Sequence, residues 1–502
     1  MKNVLLIFNA HLLDEDLDCP GAVLCIEKKI RSVFQGYYTN LETLKSFVSS
    51  VLKEDGYDQN CDINFFDAKG LTLTPAFIDM HVHLRDPGLT QKEDLNSGLH
   101  AAIAGGYGTV VAMPNTNPVI SSAEQALEVQ KRGSSLQLAH LIQSVSITKN
   151  FEGTSVSHLK DLDPQLTPLI TEDGHEVSSS AVMIDAMTIA AEKKLIVSCH
   201  CEDPTLAQKA RTYRQNALEI MKKYNISAWG GEIDDEIPEE VIKEIDDNLF
   251  EANSLLALAE NVATDRNIEI AKLAGCHVHL CHVSTQEAIN SVRRAKEEIK
   301  NAKDDYYFNL ANASYENRMD GTKFFTNEQI QPDFSVTCEV TPHHIALRGD
   351  EEPGIRALVN PPLRTEEDRI SLIEAIRDGT VDAIATDHAP HTLEDKANGA
   401  PGFTGIETSY AICNTILVKE EQISSKKLSQ LMSANPARIL GLNKGLLKPG
   451  YDADLTIVNP DETWEVKPNL FCSKGKATPF EGQTFSGKVK AVFINGINIF
   501  NQ

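Results

Sequence analysis

Two histidines one residue apart, His81 and His83, close an apolar run and are followed by Leu84 and Arg85. On an extended strand, side chains two apart share a face, so both imidazoles turn one way and Val82 the other. Their Cα atoms then lie about 6.5–7 Å apart by the strand rise, close enough to bind one metal ion. A lone HxH pair has many innocent explanations. Here, however, other apolar runs end in the same chemistry, at Asp173, His200, His282 and Asp387. Imidazole and carboxylate together suit Zn²⁺ or a similar divalent ion. Three His and one Asp would fill one site. Four His and two Asp point to two ions that share a carboxylate.

Strand parity sorts the neighbours. Cys199, Cys201 and Cys281 flank His200 and His282. Thiolates are good zinc ligands, but residues one apart on a strand face opposite sides. With the His inward, these Cys are expected to face surrounding helices as buried, inert thiols. By the same rule Glu172 and Asp173 cannot both face inward, nor can Asp387 and His388. His343 and His344 end a further run and read as packing or supporting residues.

Positioning such a cluster calls for several strands ending at one place. Eight apolar runs qualify: 73–83, 109–116, 136–146, 166–174, 195–202, 277–284, 335–344 and 381–390. Helical sequence follows most of them, as in SSAEQALEVQKR and SSAVMIDAMTIAAEKK, each opening with Ser near an N-cap. Eight strands alternating with helices predict an α/β fold, a (β/α)₈ TIM-type barrel, with ligands at the C-terminal strand ends. Strand-like pieces at 1–30, 62–75, 452–460 and 489–500 are expected to pair into a small β-sandwich domain built from both chain ends. The expected boundaries are 1–75 and 441–502 for the two parts of that domain and 76–440 for the barrel. Segments 31–61, 207–255 and 300–334 lack strand rhythm and read as insertions.

The 502 residues fit one large barrel plus a second domain, and 41% hydrophobic with 24% charged residues is ordinary for a globular protein. A net charge of -25 argues against nucleic acid or an anionic membrane as the main partner. Residues 232–251 hold ten acids against one Lys and read as a solvated helical insertion. No apolar run is long enough to span a bilayer. The N-terminal stretch reads as a strand rather than a signal peptide, because acidic residues follow it and no small-residue cleavage site is present. Ten Cys without a CxxC pair do not make a disulfide framework, so a reducing cytoplasm is expected.

Read together, FIDMHVHLRDPG (77–88), MPNTNP (113–118), TEDG (171–174), HCED (200–203), CHVST (281–285), EVTPHH (339–344), NPPLR (360–364) and ATDHAPH (385–391) resemble the dihydroorotases of the cyclic amidohydrolase superfamily. The resemblance spans about residues 75–450, and GLLKPGYDADLTIV (445–458) is similar to the superfamily's C-terminal β-domain. Many members bridge their metals with a carboxylated Lys on the fourth strand. The fourth run here has no Lys, and Asp173 resembles the bridge of a bacterial group that uses Asp. The resemblance implies one ion on His81, His83, Asp173 and Asp387, and a second on Asp173, His200 and His282. It also implies substrate contacts from His83, Arg85, Asn115, Asn360, His391, Pro401 and Gly402. Arg85 would receive the ring carboxylate through paired hydrogen bonds. The loop GAPGFTG around Pro401 and Gly402 is shorter than the family's usual form.

The activity so implied is reversible cyclisation of N-carbamoyl-L-aspartate to L-dihydroorotate, a step of de novo pyrimidine biosynthesis. Its mechanism would use a hydroxide between two divalent ions, with Zn²⁺ favoured by the His-rich set. Asp387 would carry the proton to the leaving nitrogen. A homodimer and an association with aspartate transcarbamoylase are the implied assemblies. Two other readings compete. A dihydropyrimidinase, hydantoinase or allantoinase would mostly handle substrates lacking the carboxylate that Arg85 serves. A catalytically inactive scaffold subunit would have lost ligands, yet all six are present.

Overall fold

The computed structural model describes residues 3–36, 41–56, 62–226, 237–302, 334–349 and 358–501. Its centre is a closed ring of parallel strands: Phe77–Val82, Tyr107–Ala112, His140–Gln143 continuing as Val145–Ser146, Leu169–Thr171, Ile196–Cys199, His277–Leu280, Ser335–Val340 and Ala383–Ile384. Neighbouring strands are hydrogen-bonded in chain order. The ring closes where Val82 bridges His388 in parallel and the His83 amide donates to the His388 carbonyl at 2.8 Å. This is the (β/α)₈ barrel, and each of the eight apolar runs supplies one strand.

Two packing layers explain why those runs are so apolar. Ile78, Met80, Val111, Met113, Leu169, Ile196, Ala383 and Ala385 come from five strands and meet as one cluster, which Ala437 and Leu440 join. Val82, Val110, Val197, Cys199, Val278 and Val340 instead join the large cluster made with the helices. Strands covered on both faces lose the apolar/polar alternation of a half-exposed sheet. Helices Ala123–Ser135 and Ser180–Lys193 start at Ser122 and Ser179, whose side chains accept from the amides of Gln125 and Val182. These are the N-caps that the sequence pattern pointed to.

The second body is an eight-stranded sheet with strands from both chain ends. Val4–Leu13 pairs antiparallel with Asp18–Ile26, while Leu455–Glu465 pairs antiparallel with both Thr72–Pro75 and Thr484–Ile494. The sheet curls onto itself, so Phe66 and Phe493, from strands distant in the sheet, meet edge-on at 5.0 Å. Ile7, Leu12, Val23, Leu455, Ile457 and Phe493 fill the interior of this β-sandwich.

The insertions resolve differently. Residues 31–35 are not an insertion, since strand Lys29–Gln35 continues through them against Asp18–Ile26. Helix Leu41–Glu54 then lays Leu44, Val48 and Leu52 on the outer face of the sheet, against Val4, Leu6 and Leu24. Within 207–255, helix Pro204–Lys223 packs on the first half of helix Glu239–Ala274 through Ala207, Ala210, Ala252 and Leu256. The acidic stretch is helical from Glu239 onward, and 232–236 lie outside the described residues. Nearly all of segment 300–334 also lies outside them.

Candidate active site

The barrel brings all six candidate ligands to one end. His81 Nε2 lies 3.1 Å from Asp173 Oδ1 and 3.6 Å from Asp387 Oδ1. His83 Nε2 lies 3.1 Å from Asp387 Oδ1 and 3.4 Å from Asp173 Oδ2. On the other side, Asp173 Oδ1 is 3.6 Å from His200 Nδ1 and 3.9 Å from His282 Nε2, and those two nitrogens are 2.9 Å apart. Asp173 is therefore central: one of its oxygens faces His200 and His282, and the other faces His83. Five of the six are buried, and Asp387 is half-buried at the edge of the cluster.

This arrangement fits a pair of small cations. Donor atoms on one tetrahedral ion at about 2.0–2.2 Å are themselves about 3.3–3.6 Å apart, and the distances above bracket that range. His81 Nε2 is buried without any hydrogen-bond partner although it points at two carboxylates. Asp173 and Asp387 would repel each other at this range, so charge of opposite sign is called for. Burial opposes ionisation of both, yet the surrounding imidazoles hold each carboxyl well below the usual range.

Supporting groups aim these side chains. Glu339, buried on the seventh strand, accepts from His81 Nδ1 at 2.8 Å and pairs with His279 at 3.0 Å. Burial raises its pKa, but the two imidazoles bring it down to about 2. A proton on His81 Nδ1 leaves Nε2 as the free lone pair, the arrangement a metal-ligating His needs. Asn115 does the same for His83, with its amide oxygen 3.0 Å from Nδ1 and its nitrogen 3.3 Å from Asp173. The Asn360 amide sits 3.3 Å from His200 Nε2 and donates to Glu202 at 2.8 Å, leaving Nδ1 turned inward. Asn115 and Asn360 are thus engaged with the ligand set itself.

One parity expectation fails. Cys199 and Cys201 face the helix layer, with Cys201 Sγ 3.7 Å from Asn267 on the long helix. Cys281 instead turns into the barrel, where its sulfur, His81 and Glu339 form a third close group. The sixth strand ends at Leu280, and His282 adopts φ 32°. Alternation holds only while the chain is extended, so it no longer governs Cys281. Glu339 was also missed, since a single acid inside an apolar run carries no spacing signal. His343 is buried against Phe403, and His344, buried against His343, is held by Thr341 and the Pro361 carbonyl.

Next to the ligand cluster lies a basic corner. Arg85 donates to the Pro390 carbonyl at 3.3 Å, and its Nη2 is 3.3 Å from His391 Nε2. Lys92 approaches the other ring nitrogen at 3.4 Å. Burial, then Arg85 and Lys92, lower the His391 pKa to about 3, so the ring is neutral. The loop at Pro401 and Gly402 closes on this corner. A Cβ at Gly402 would lie 2.7 Å from the Ala389 Cβ and 3.4 Å from His391 Nε2, and its φ is 106°. Lys396 holds the same loop, donating to the carbonyls of Ala400 at 2.5 Å and Gly402 at 2.7 Å. A small anion would meet Arg85 and a neutral imidazole here, beside the candidate ligands, with Lys92 behind them paired to Asp395 at 3.3 Å.

Comparison with known proteins narrows the chemistry. Residues 72–498 match the Amidohydrolase family. A dihydroorotase of Clostridium botulinum is 36% identical over 493 residues, covering 98% of each chain. One from Bacillus caldolyticus is 32% identical, covering 92% of this chain and 95% of its own. Among solved structures, the L-hydantoinase (dihydropyrimidinase) of Arthrobacter aurescens superposes with a TM-score of 0.75 at 20% identity, covering 100% of this chain and 96% of that one. The dihydropyrimidinase of Brevibacillus agri gives 0.72 at 18%, with 100% and 95% covered. At those identities the structural likeness speaks to the fold.

Proposed function

The chain belongs to the amidohydrolase family and is a cyclic amide hydrolase, and we propose that its reaction is that of a dihydroorotase, the reversible interconversion of L-dihydroorotate and N-carbamoyl-L-aspartate. The observation that carries this reading is the basic corner of Arg85, Lys92 and His391 directly beside the His/Asp cluster. A ring substrate bearing a carboxylate can set that group on Arg85 while its amide faces Asp173 and Asp387. Dihydrouracil and hydantoin lack the carboxylate and would leave the buried guanidinium without its anion, which is costly.

His81, His83, Asp173 and Asp387 would hold one divalent ion, and Asp173, His200 and His282 the other. Divalent ions bound there supply Lewis acidity and make water a better nucleophile at neutral pH. Arg85 and the Gly402 loop orient the ring so that its amide carbonyl is open to attack. The new C–O bond forms as the ring C–N bond breaks. Asp387, ionised and at the edge of the cluster, accepts the proton of the attacking water and returns it to the departing nitrogen. In reverse, the same carboxylate takes a proton from the ureido nitrogen as the ring closes.

The reading includes Zn²⁺ as the native ion, a place in de novo pyrimidine synthesis, a cytoplasmic address, a homodimer and aspartate transcarbamoylase as the partner enzyme. No helix among the described residues is long and apolar enough to cross a membrane. Assaying the purified chain with dihydroorotate, dihydrouracil and hydantoin, with and without a chelator, tests the proposal. Chelator-sensitive opening of dihydroorotate alone is expected. Preference for either uncharged ring would transfer the assignment to a sister amidase.

A further inference from the structure

We propose that Glu93, together with Ser473 from the C-terminal segment, positions Asp387, which makes the tail of the chain part of the catalytic apparatus. This rests on the reading that Asp387 moves the proton.

The need for a brace is visible in the backbone. Asp387 has φ 48°, a left-handed conformation that a residue with a Cβ holds only when its surroundings impose it. On its N-terminal side, Thr386 is fixed by Asp79, which accepts from its amide at 3.0 Å and its hydroxyl at 2.6 Å. On its C-terminal side stands His388. Its amide donates to Thr386 Oγ1 at 3.1 Å, and its carbonyl accepts from the His83 amide at 2.8 Å. Whatever holds His388 therefore sets the backbone of two candidate ligands at once.

The His388 ring is fully buried. Its Nδ1 accepts from the Gly405 amide at 3.3 Å, which leaves the proton of a neutral ring on Nε2. That atom is 3.4 Å from Glu93 Oε2, an electrostatic contact rather than a formed hydrogen bond, and Nε2 has no hydrogen-bond partner among the described residues. Glu93 is fully buried too, and its carboxylate accepts from the hydroxyls of Ser97 and Ser473 and from the Lys474 amide at 3.2 Å. Helix capping does not account for it, because Asp94 is the N-cap of helix Leu95–Ala104 and forms the capping box with Ser97.

Ser473 and Lys474 come from the excursion between strands Leu455–Glu465 and Thr484–Ile494. That excursion is seated on the barrel rim. Glu407 accepts from the Cys472 and Ser473 amides, each at 3.0 Å, and Ala477 accepts from the Thr404 amide at 3.0 Å. Gly475 passes so close that a Cβ would lie 2.3 Å from Thr404 Oγ1 and 2.7 Å from the Pro390 Cβ. The excursion thus lies on the loop that carries His391 and Gly402.

The test compares wild type, Glu93→Gln, Ser473→Ala and the double variant for dihydroorotate ring opening, metal content and thermal midpoint. Glu93→Gln is expected to lower kcat by about 10–100-fold, as loss of an outer group that orients the ligand set does, with KM and metal content held. Ser473→Ala should lose less, and the double variant no more than Glu93→Gln alone, because both act through one carboxylate. An unchanged kcat in Glu93→Gln overturns the inference. So do additive losses, or a fall in kcat that merely tracks lost metal and a lowered midpoint. A wild type inert toward dihydroorotate would instead sink the functional reading on which the inference stands.

Discussion

Asp387 and Glu339 illustrate the division of labour among single residues. Asp387 faces the cluster from its edge and keeps its charge there, held low by the neighbouring imidazoles. Asp387→Asn keeps the volume and one oxygen but removes the base, so kcat should fall by about 10²–10⁴-fold while part of the metal stays bound. Near-normal turnover in that variant, alongside metal analysis, would remove the proton-transfer role. Glu339 is fully buried behind His81 and fixes its tautomer from there. Glu339→Gln should weaken metal affinity by about 10–100-fold, read by competition with a chromogenic chelator. An affinity equal to wild type would mean the tautomer is set elsewhere. The six candidate ligands, which the barrel brings together, stood out because they sit where extended runs end and chemistry clusters by type. Cys281 was misread because the backbone leaves the strand just before it, and Glu339 was overlooked because its partners lie 258 and 60 residues away.

At the scale of elements, the eight barrel strands were legible because burial on both faces makes each a short apolar block, and Ser122 and Ser179 marked helix starts. Helix Leu41–Glu54 was read only as an insertion, although Leu44, Val48 and Leu52 recur every four residues, the spacing of a helical stripe. Among the described residues its buried side chains meet the sheet. Leu44→Ala should therefore cost about 2–5 kcal/mol of stability, as buried Leu truncations do, with kcat and KM unaltered below the transition. Urea unfolding together with a rate assay would check this. A kinetic defect without a stability defect would give the helix a role at the site.

Over the whole molecule, the question is how a sheet made from both chain ends is fixed to the barrel. Asp454 is one junction. It pairs with Lys444 at 2.5 Å and His140 at 3.1 Å and accepts from the Asn495 amide at 2.8 Å, and Lys444 in turn reaches Thr109 at 3.2 Å. Burial raises the pKa of this carboxyl, but His140, Lys444 and the amide outweigh it, leaving it well below the usual range. A depressed native pKa means that its stabilisation is present above the unfolded value near 3.9 and is lost as pH falls through the native value. Asp454→Asn should cost about 3–5 kcal/mol near neutrality, and its gap from wild type should shrink steadily below about pH 4. Denaturant unfolding across that range would show it, and a gap constant with pH would contradict it. Such junctions, like the seating of residues 472–477 on the rim, join positions hundreds of residues apart and leave no local pattern in the chain.

The account stands or falls on a pair of ions held between His81, His83, Asp173, His200, His282 and Asp387. The direct measurement strips the purified protein with chelator, returns Zn²⁺ in graded amounts, and follows dihydroorotate ring opening with bound metal in the same samples. Activity should rise to a plateau at two equivalents in wild type, and His282→Ala should bind one ion with little turnover. Full activity in the stripped protein, or a wild-type plateau reached with one equivalent, would contradict the account.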